Sequence, residues 1–440
     1  MPKVYIESLG CARNQVDSEI MAGRLTLAGW QIAADPDDAE AIVVNTCSFI
    51  EAAAEESIDT ILALADYKTK GRCRRLIVAG CLPERYRQDS SNALPEVDFF
   101  LGTGAYDQIV AAVRGVLARG ACLLPDPDSI DLHTPVVRRP TTPHAAYLKI
   151  AEGCSRHCTF CVIPKIRGRQ KSRLPAAILS EAQALIGDGV KEITLVAQET
   201  TAYGSDLTDR ATLAELMAAL AALDPSVWIR FLYGHPQTMT ADLLSTVTQF
   251  SNLCPYFDIP IQHAADGVLK RMGRPYTGDD LIRLFDSIRA GVPQAVLRTT
   301  VLTGFPGETE TDIEHLAGFM ERVRFDHLGV FAYSDADDLS SHGLDRHVAP
   351  EIAQARMDRL MDLQKEISED KLTSLHGQTM TVLVENEAEP AIYVARSMFQ
   401  APEVDGCILV RAQRPLTAGT FLNVRIVETM EYDLIGEPVS

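Results

Sequence analysis

The segment Ala146-Tyr147-Leu148-Lys149-Ile150-Ala151-Glu152-Gly153-Cys154-Ser155-Arg156-His157-Cys158-Thr159-Phe160-Cys161 joins an apolar, strand-like run to three thiols in a CxxxCxxC spacing. Cysteines this close together on a short loop can turn inward onto one metal centre, and thiolates are soft ligands that suit iron–sulfur clusters, zinc or cuprous ion. A structural zinc site usually takes four protein ligands, and no fourth cysteine or histidine follows at the usual offset. His157 is a poor fourth ligand, because it lies between two cysteines and would have to point the same way as both. Three cysteines on a cubane of four irons leave one iron free to bind a substrate or cofactor. Three buried free thiols are the alternative, and they explain neither the spacing nor Gly153.

Outward from this loop, six apolar strand patterns fall at 147–151, 192–197, 228–233, 256–261, 296–302 and 327–331. Helical patterns separate them at 176–185, 213–223, 281–290 and 312–323. Strands alternating with helices imply a parallel sheet. Six βα units fall short of the eight that close a TIM barrel, so a partial (β/α)6 barrel is expected, with its chemistry on the carboxyl-end face where the CxxxCxxC loop begins. Thr303-Gly304-Phe305-Pro306-Gly307 leaves the fifth strand and enters a helix, a place where backbone can approach a ligand or simply make a tight turn. Arg167 and Arg169 read equally well as solvated surface charges or as groups with a structural or substrate role.

Residues 1–118 also alternate, with strands expected at 4–9, 41–45, 75–79 and 97–101 and helices at 18–27, 51–65 and 106–117. This is an open, mostly parallel α/β sheet. Cys11, Cys47 and Cys81 each come directly after a strand, and the carboxyl ends of parallel strands share one edge. The three can therefore meet as a second three-cysteine site, although each alone reads as a small buried hydrophobe. Cys73, Cys122, Cys254 and Cys407 lack that placement and read as packing residues or incidental thiols. Residues 119–139 are rich in Pro, Asp and Arg without apolar period and read as a linker ahead of the 140–375 core.

A long helix is expected at 350–375, and from 376 to 440 the pattern turns to short strands (379–384, 391–395, 406–409 and 421–429), a small β-barrel. That last domain carries four arginines and no lysine against nine carboxylates, and the 440-residue chain has a net charge of −19. RNA-binding surfaces are usually basic, so the balance disfavours RNA contact and suits a basic protein partner. No stretch is apolar enough for a membrane span, and the N-terminus runs into a strand without a signal-peptide pattern. A cytoplasmic location is expected, and the ten cysteines point to metal or catalysis rather than disulfides.

CxxxCxxC with Phe160 before its last cysteine, followed by Ile163-Pro164-Lys165-Ile166-Arg167-Gly168-Arg169, resembles the radical S-adenosylmethionine enzymes. Ser8-Leu9-Gly10-Cys11-Ala12-Arg13-Asn14, Asn45-Thr46-Cys47-Ser48-Phe49 and Ala79-Gly80-Cys81 resemble the N-terminal domain of their methylthiotransferase family, and the last domain resembles a TRAM module, an OB-like barrel. The resemblance runs over essentially the whole chain. It implies two [4Fe-4S] clusters, one on Cys154, Cys158 and Cys161 and one on Cys11, Cys47 and Cys81. In the family the first cluster binds and reductively cleaves S-adenosylmethionine to generate a hydrogen-abstracting radical, and the second supplies sulfur. The resemblance also implies an S-adenosylmethionine site bordered by Phe160, Gln198, Gln262, Arg298 and Gly304, and a flavodoxin- or ferredoxin-type electron donor.

Members act on a tRNA adenosine next to the anticodon or on the β-carbon of an aspartate in the twelfth small-subunit ribosomal protein. The acidic last domain, Val196-Ala197-Gln198-Glu199-Thr200-Thr201-Ala202-Tyr203-Gly204 and the ending Tyr432-Asp433-Leu434-Ile435-Gly436-Glu437 resemble the ribosomal branch. Glu199 departs from the aspartate of that branch, and Pro175 comes one place later than its proline. An electron carrier or a zinc-binding assembly protein is the alternative from another class.

Overall fold

The computed structural model describes residues 1–130, 132 and 137–439. Near the N-terminus, six parallel strands lie in the order Gln31–Ile32, Lys3–Ser8, Ala41–Thr46, Arg75–Gly80, Phe99–Leu101, Ala121–Leu123. The strands are near-continuous apolar runs because both faces are covered. Val4, Ala41, Val43, Ile77, Ala79, Phe99 and Leu101 feed one core, and Ile42, Val44, Leu76, Val78 and Phe100 feed the other.

Beyond the four expected strands the sheet has two more, Gln31–Ile32 and Ala121–Leu123, of two and three residues, at its two edges. Runs so short carry no period of their own and are defined by their neighbours, as in the pairing of Phe99 with Ala121. The expected linker therefore begins as part of the sheet, and its residues 131 and 133–136 lie outside the described residues. The first helix starts at Ala12, six residues earlier than its apolar pattern, because Asn14, Asp17 and Ser18 in its opening turns are polar yet buried. The expected helix at 106–117 is shorter, a 3-10 turn Tyr106–Gln108 running into Ile109–Arg114, ended by Gly115 at φ 68°.

The six strands of the central domain form two parallel ladders. One joins Trp228–Phe231, Glu192–Val196 and Ala145–Lys149, the other Tyr256–Asp258, Val296–Thr303 and His327–Ala332. A bridge from Ile229 to Leu253 links the ladders, and the barrel stays open between its first and last strands. Helix Ala12–Leu27 of the N-terminal domain packs at the first strand, where Ala12 and Val16 share an apolar cluster with Tyr147, Val196, Leu232 and Tyr256. The long helix Pro350–Thr373 adds Leu360 and Ile367 to the main barrel core.

The C-terminal strands close a barrel in the order Thr379–Glu389, Ile392–Ser397, Ile408–Arg411, Leu434–Pro438, Phe421–Thr429. The fifth strand, Leu434–Pro438, falls within the terminal motif Tyr432-Asp433-Leu434-Ile435-Gly436-Glu437 and the residues after it. It closes the barrel by pairing parallel to Ile408–Arg411, a connection that local alternation does not reveal. This small barrel docks under the amino-terminal ends of the central strands. There Glu192, buried, accepts from Arg230 Nε at 2.9 Å and from Arg396 Nη2 of the small barrel at 2.7 Å, while Arg230 Nη1 donates to Met398 O at 2.9 Å.

Burial opposes the charge on Glu192, but Arg396 and then Arg230 outweigh it and hold the carboxyl below its ordinary value. A depressed carboxylate stabilises the fold above its unfolded value of about 4.3, and the contribution is lost as pH falls through the folded value. Glu192→Ala leaves two arginines buried without their carboxylate and is expected to cost about 3–5 kcal/mol. The check is chemical denaturation at neutral pH, with the difference from the parent shrinking as the pH is lowered below that carboxylate value.

Candidate active site

Cys154, Cys158 and Cys161 follow the first central strand, on the carboxyl-end face of the barrel, as the sequence suggests. Gly153 turns the chain at φ 80°, and a Cβ there would lie 2.1 Å from Arg169 O, so no other residue fits. The loop is pinned by Cys154 N to Gly168 O (3.0 Å), Thr159 N to Met272 O (3.1 Å) and Ser341 N to Thr159 O (3.0 Å). Arg156 forks onto Glu199, its Nε 2.7 Å from Oε2. The glutamate found in place of an aspartate thus has a partner within its longer reach.

Cys11, Cys47 and Cys81 converge at the carboxyl edge of the N-terminal sheet. Gly10, at φ 91°, brings backbone so near Cys47 that a Cβ on it would stand 2.7 Å from Cys47 Cβ. Asn14 sits among the three loops: its Nδ2 donates to Leu9 O and Thr46 O, both at 2.9 Å, and Cys81 Sγ lies 3.9 Å from its Oδ1. Asn45 answers by donating to Asn14 O (2.8 Å) and Ser18 Oγ (2.9 Å).

Burial opposes ionisation of Cys11, but Arg13 and Arg167 outweigh it and push the thiol below its ordinary value. Burial pushes Cys47 and Cys154 up, Cys81 up to about 11 and Cys161 up to about 12. Such thiols become ligands when a metal centre supplies the compensating charge. Among the described residues no group of three His, Cys, Asp or Glu is arranged around a single metal ion. The donor set and the two cradles fit iron–sulfur clusters.

The two triads adjoin. Helix Ile163–Arg167 follows Cys161, and Cys81 packs against Val162 and Ile166 beside Leu339. Thr103 Oγ1 of the N-terminal domain donates to Ile166 O at 2.7 Å, and Arg85 forks onto Asp338 of the loop after the last central strand. Behind Cys81 lies a buried network. Arg167 donates to Asp17 (2.7 Å), Glu152 (3.4 Å) and Asn14, and Lys149 donates to Asp17 and Glu152 (2.6 Å). Arg167, 2% exposed, is thus neither solvated nor near the surface. Burial opposes the charge of Glu152, yet Lys149 and Arg167 hold its carboxyl down at about 2. Arg13, Asn14, Asp17, Lys149 and Glu152 are not among the expected site residues, although four of them lie within the quoted cysteine stretches.

Of the expected cofactor residues, Phe160 stands edge-on to Phe305 with centroids 6.4 Å apart. Gln198 donates to Glu152, and its Oε1 is buried with no partner among the described residues. Gln262 is half-buried with φ 69°, and Tyr233 at the end of the neighbouring strand has φ 63°, an uncommon conformation found at ligand sites. Two of the expected residues have other partners. Arg298 lies near the amino-terminal end of its strand, away from the cysteine loops, and is taken by Asp258 (3.0 Å) and by Asp405 of the small barrel (3.4 Å). Gly304 N–H donates to Glu308 at 2.8 Å, and a Cβ on it would stand 2.3 Å from Ala353 Cβ of the long helix. Cys73 and Cys122 pack with the N-terminal sheet and Cys254 in the barrel interior, and Cys407 is half-buried in the small barrel.

Family profiles match in three places: uncharacterized protein family UPF0004 over residues 3–102, the radical SAM superfamily over 148–320 and the TRAM domain over 377–439. A ribosomal protein uS12 methylthiotransferase, RimO, of Desulfosudis oleivorans is 53% identical over 439 residues, 99% of each chain. The RimO of Clostridioides difficile is 42% identical over 438 residues, again 99% of each. Among solved structures, the radical S-adenosylmethionine methyltransferase TsrM of Kitasatospora setae superposes with a TM-score of 0.58 at 13% identity, over 75% of this chain and 73% of that one, a likeness of fold. With full-length relatives at this identity, two cysteine triads on adjoining loops and all three domain profiles in order, the chain belongs to the uS12 methylthiotransferase family of radical S-adenosylmethionine enzymes.

Proposed function

We propose that the protein inserts a methylthio group at the β-carbon of an aspartate in ribosomal protein uS12. The observation that carries this reading is the meeting of two cysteine triads across helix Ile163–Arg167, one on the mouth of a partial barrel and one on the N-terminal sheet. Cys154, Cys158 and Cys161 hold one [4Fe-4S] cluster and Cys11, Cys47 and Cys81 a second. When bound, these clusters and S-adenosylmethionine supply hydrogen abstraction from an unactivated carbon and the sulfur that replaces the hydrogen.

The chain's own residues bind, align and exclude water. Phe160, Gln198 and Gln262 border S-adenosylmethionine, and the orphaned Gln198 Oε1 offers it an acceptor. The strand ends at Tyr233 and Gln262 shape the floor, and the loop holding Asp338 ties the N-terminal domain over the mouth. Residues 1–118 carry the sulfur-donating cluster, 140–375 the radical chemistry and 376–440 the contact with substrate.

Charge in the small barrel favours a basic protein over RNA. Of its four arginines, Arg396 is buried against Glu192 and Glu385, and Arg411 is paired with Glu428 at 2.8 Å. Few cations are left for phosphates, and phosphate contacts dominate RNA affinity. The enzyme works in the cytoplasm, where uS12 is made and a flavodoxin- or ferredoxin-type donor delivers the electron.

Changing Cys11, Cys47 or Cys81 to Ala is expected to preserve cleavage of S-adenosylmethionine while abolishing methylthio product on uS12, scored by 5′-deoxyadenosine assay and by mass spectrometry of the ribosomal protein. Product retained in such a variant refutes the assignment, and a methylthio mark lost from tRNA of a deletion strain instead of uS12 would name the nucleoside as substrate. Asn14→Ala strands two backbone carbonyls and is expected to cost about 1–3 kcal/mol for each group left unpaired. Its signatures are a lower melting temperature and less iron bound per chain, the missing fraction belonging to the N-terminal triad.

A further inference from the structure

Arg13 and Arg167 reach the N-terminal triad from opposite sides of the domain boundary. Arg13 belongs to the N-terminal domain, yet its Nη1 donates to Ala197 O at the end of a barrel strand (3.0 Å) and its guanidinium lies 4.2 Å over the ring of Tyr233. Arg167 belongs to the barrel, yet it reaches back to Asn14 and Asp17. Each also donates to a triad sulfur, Arg13 Nε to Cys11 Sγ and Arg167 Nη2 to Cys81 Sγ, both at 3.4 Å.

The barrel triad is treated differently. Among the described residues no side chain donates to the sulfur of Cys154, Cys158 or Cys161, and Arg156 in the same loop is committed to Glu199 and to Gln237 Oε1 at 2.7 Å. Two triads of identical chemistry thus sit in unlike surroundings. One receives charged donors, and the other does not.

We propose that Arg13 and Arg167 are positioning residues for the N-terminal cluster, holding its sulfurs over the barrel mouth and raising its reduction potential. Hydrogen bonds to ligating sulfurs and nearby positive charge favour the more negative, reduced state of a cluster. Asp17, Glu152 and Lys149 face Arg167 and with it make a neutral set, so Arg167 acts through its directed donor. Arg13, with no carboxylate among its hydrogen-bond partners, adds net positive charge. A raised potential makes the N-terminal cluster the weaker reductant and leaves cleavage of S-adenosylmethionine to the barrel cluster. The inference rests on the reading of Cys11, Cys47 and Cys81 as cluster ligands.

The test uses the full chain carrying Cys154→Ala, Cys158→Ala and Cys161→Ala, anaerobically reconstituted with iron and sulfide so that only the N-terminal cluster is present. Its potential is read by redox titration with electron paramagnetic resonance, and compared with the same chain bearing Arg13→Gln or the charge-balanced pair Arg167→Gln with Asp17→Asn. A shift to more negative potential in each variant, partly recovered by Arg13→Lys, is expected. Unchanged potential at equal iron content overturns the inference. If the paired variant fails to fold, Arg13→Gln decides alone. A parent chain that binds no cluster overturns the ligand assignment itself, an outcome distinguishable by iron and sulfide analysis.

Discussion

Arg167 and Lys149 are cations with almost no access to water, and Asp17 and Glu152 are the carboxylates that make their burial tolerable. Stripping water from each of four such charges costs several kcal/mol, and their mutual attraction offsets the loss only when the geometry is good. A set like this adds little to stability compared with apolar packing. What it does is forbid misalignment, because a slip of one domain against the other would leave a charge buried and alone. Asp17 belongs to the N-terminal domain and the other three to the barrel, so the network fixes the register of two domains whose cysteines must face each other.

The same logic recurs at the other end of the barrel. Glu192, Arg230 and Arg396 lock the small C-terminal barrel beneath the strands, with Tyr256 donating to Asp405 alongside. The partial barrel is thus held between two charged seams, one at its chemical face and one at its base. Its opening between the first and last strands is narrowed by the N-terminal helix on one side and the long helix Pro350–Thr373 on the other. Catalytic loops are kept in place by domain contacts that are polar, directional and dry.

The convergence of the cysteines was legible because its signal is local: a thiol directly after an apolar strand, or three thiols in a tight spacing, is visible without knowing the fold. The six central strands were legible for a related reason, since each is an apolar run between helical patterns. Arg167 was not, because a guanidinium in a polar stretch reads as solvated until its carboxylates arrive from residues 17 and 152. Arg298 misled for the converse reason. Which end of a strand a charge occupies decides whether it meets the ligand or the docking domain, and its third place in Val296–Thr303 put it at the base. Strand Leu434–Pro438 pairs antiparallel with Phe421–Thr429 and closes the barrel through a parallel partner more than twenty residues earlier, which alternation along the chain does not encode.

The central claim is that six cysteines form two separate iron–sulfur sites held face to face by the buried seam. Diffraction from anaerobically reconstituted crystals, recorded across the iron absorption edge, tests it most directly. The account requires two anomalous peaks, one over Cys154, Cys158 and Cys161 and one over Cys11, Cys47 and Cys81. A single peak, or a zinc signal in place of iron at either triad, would contradict it.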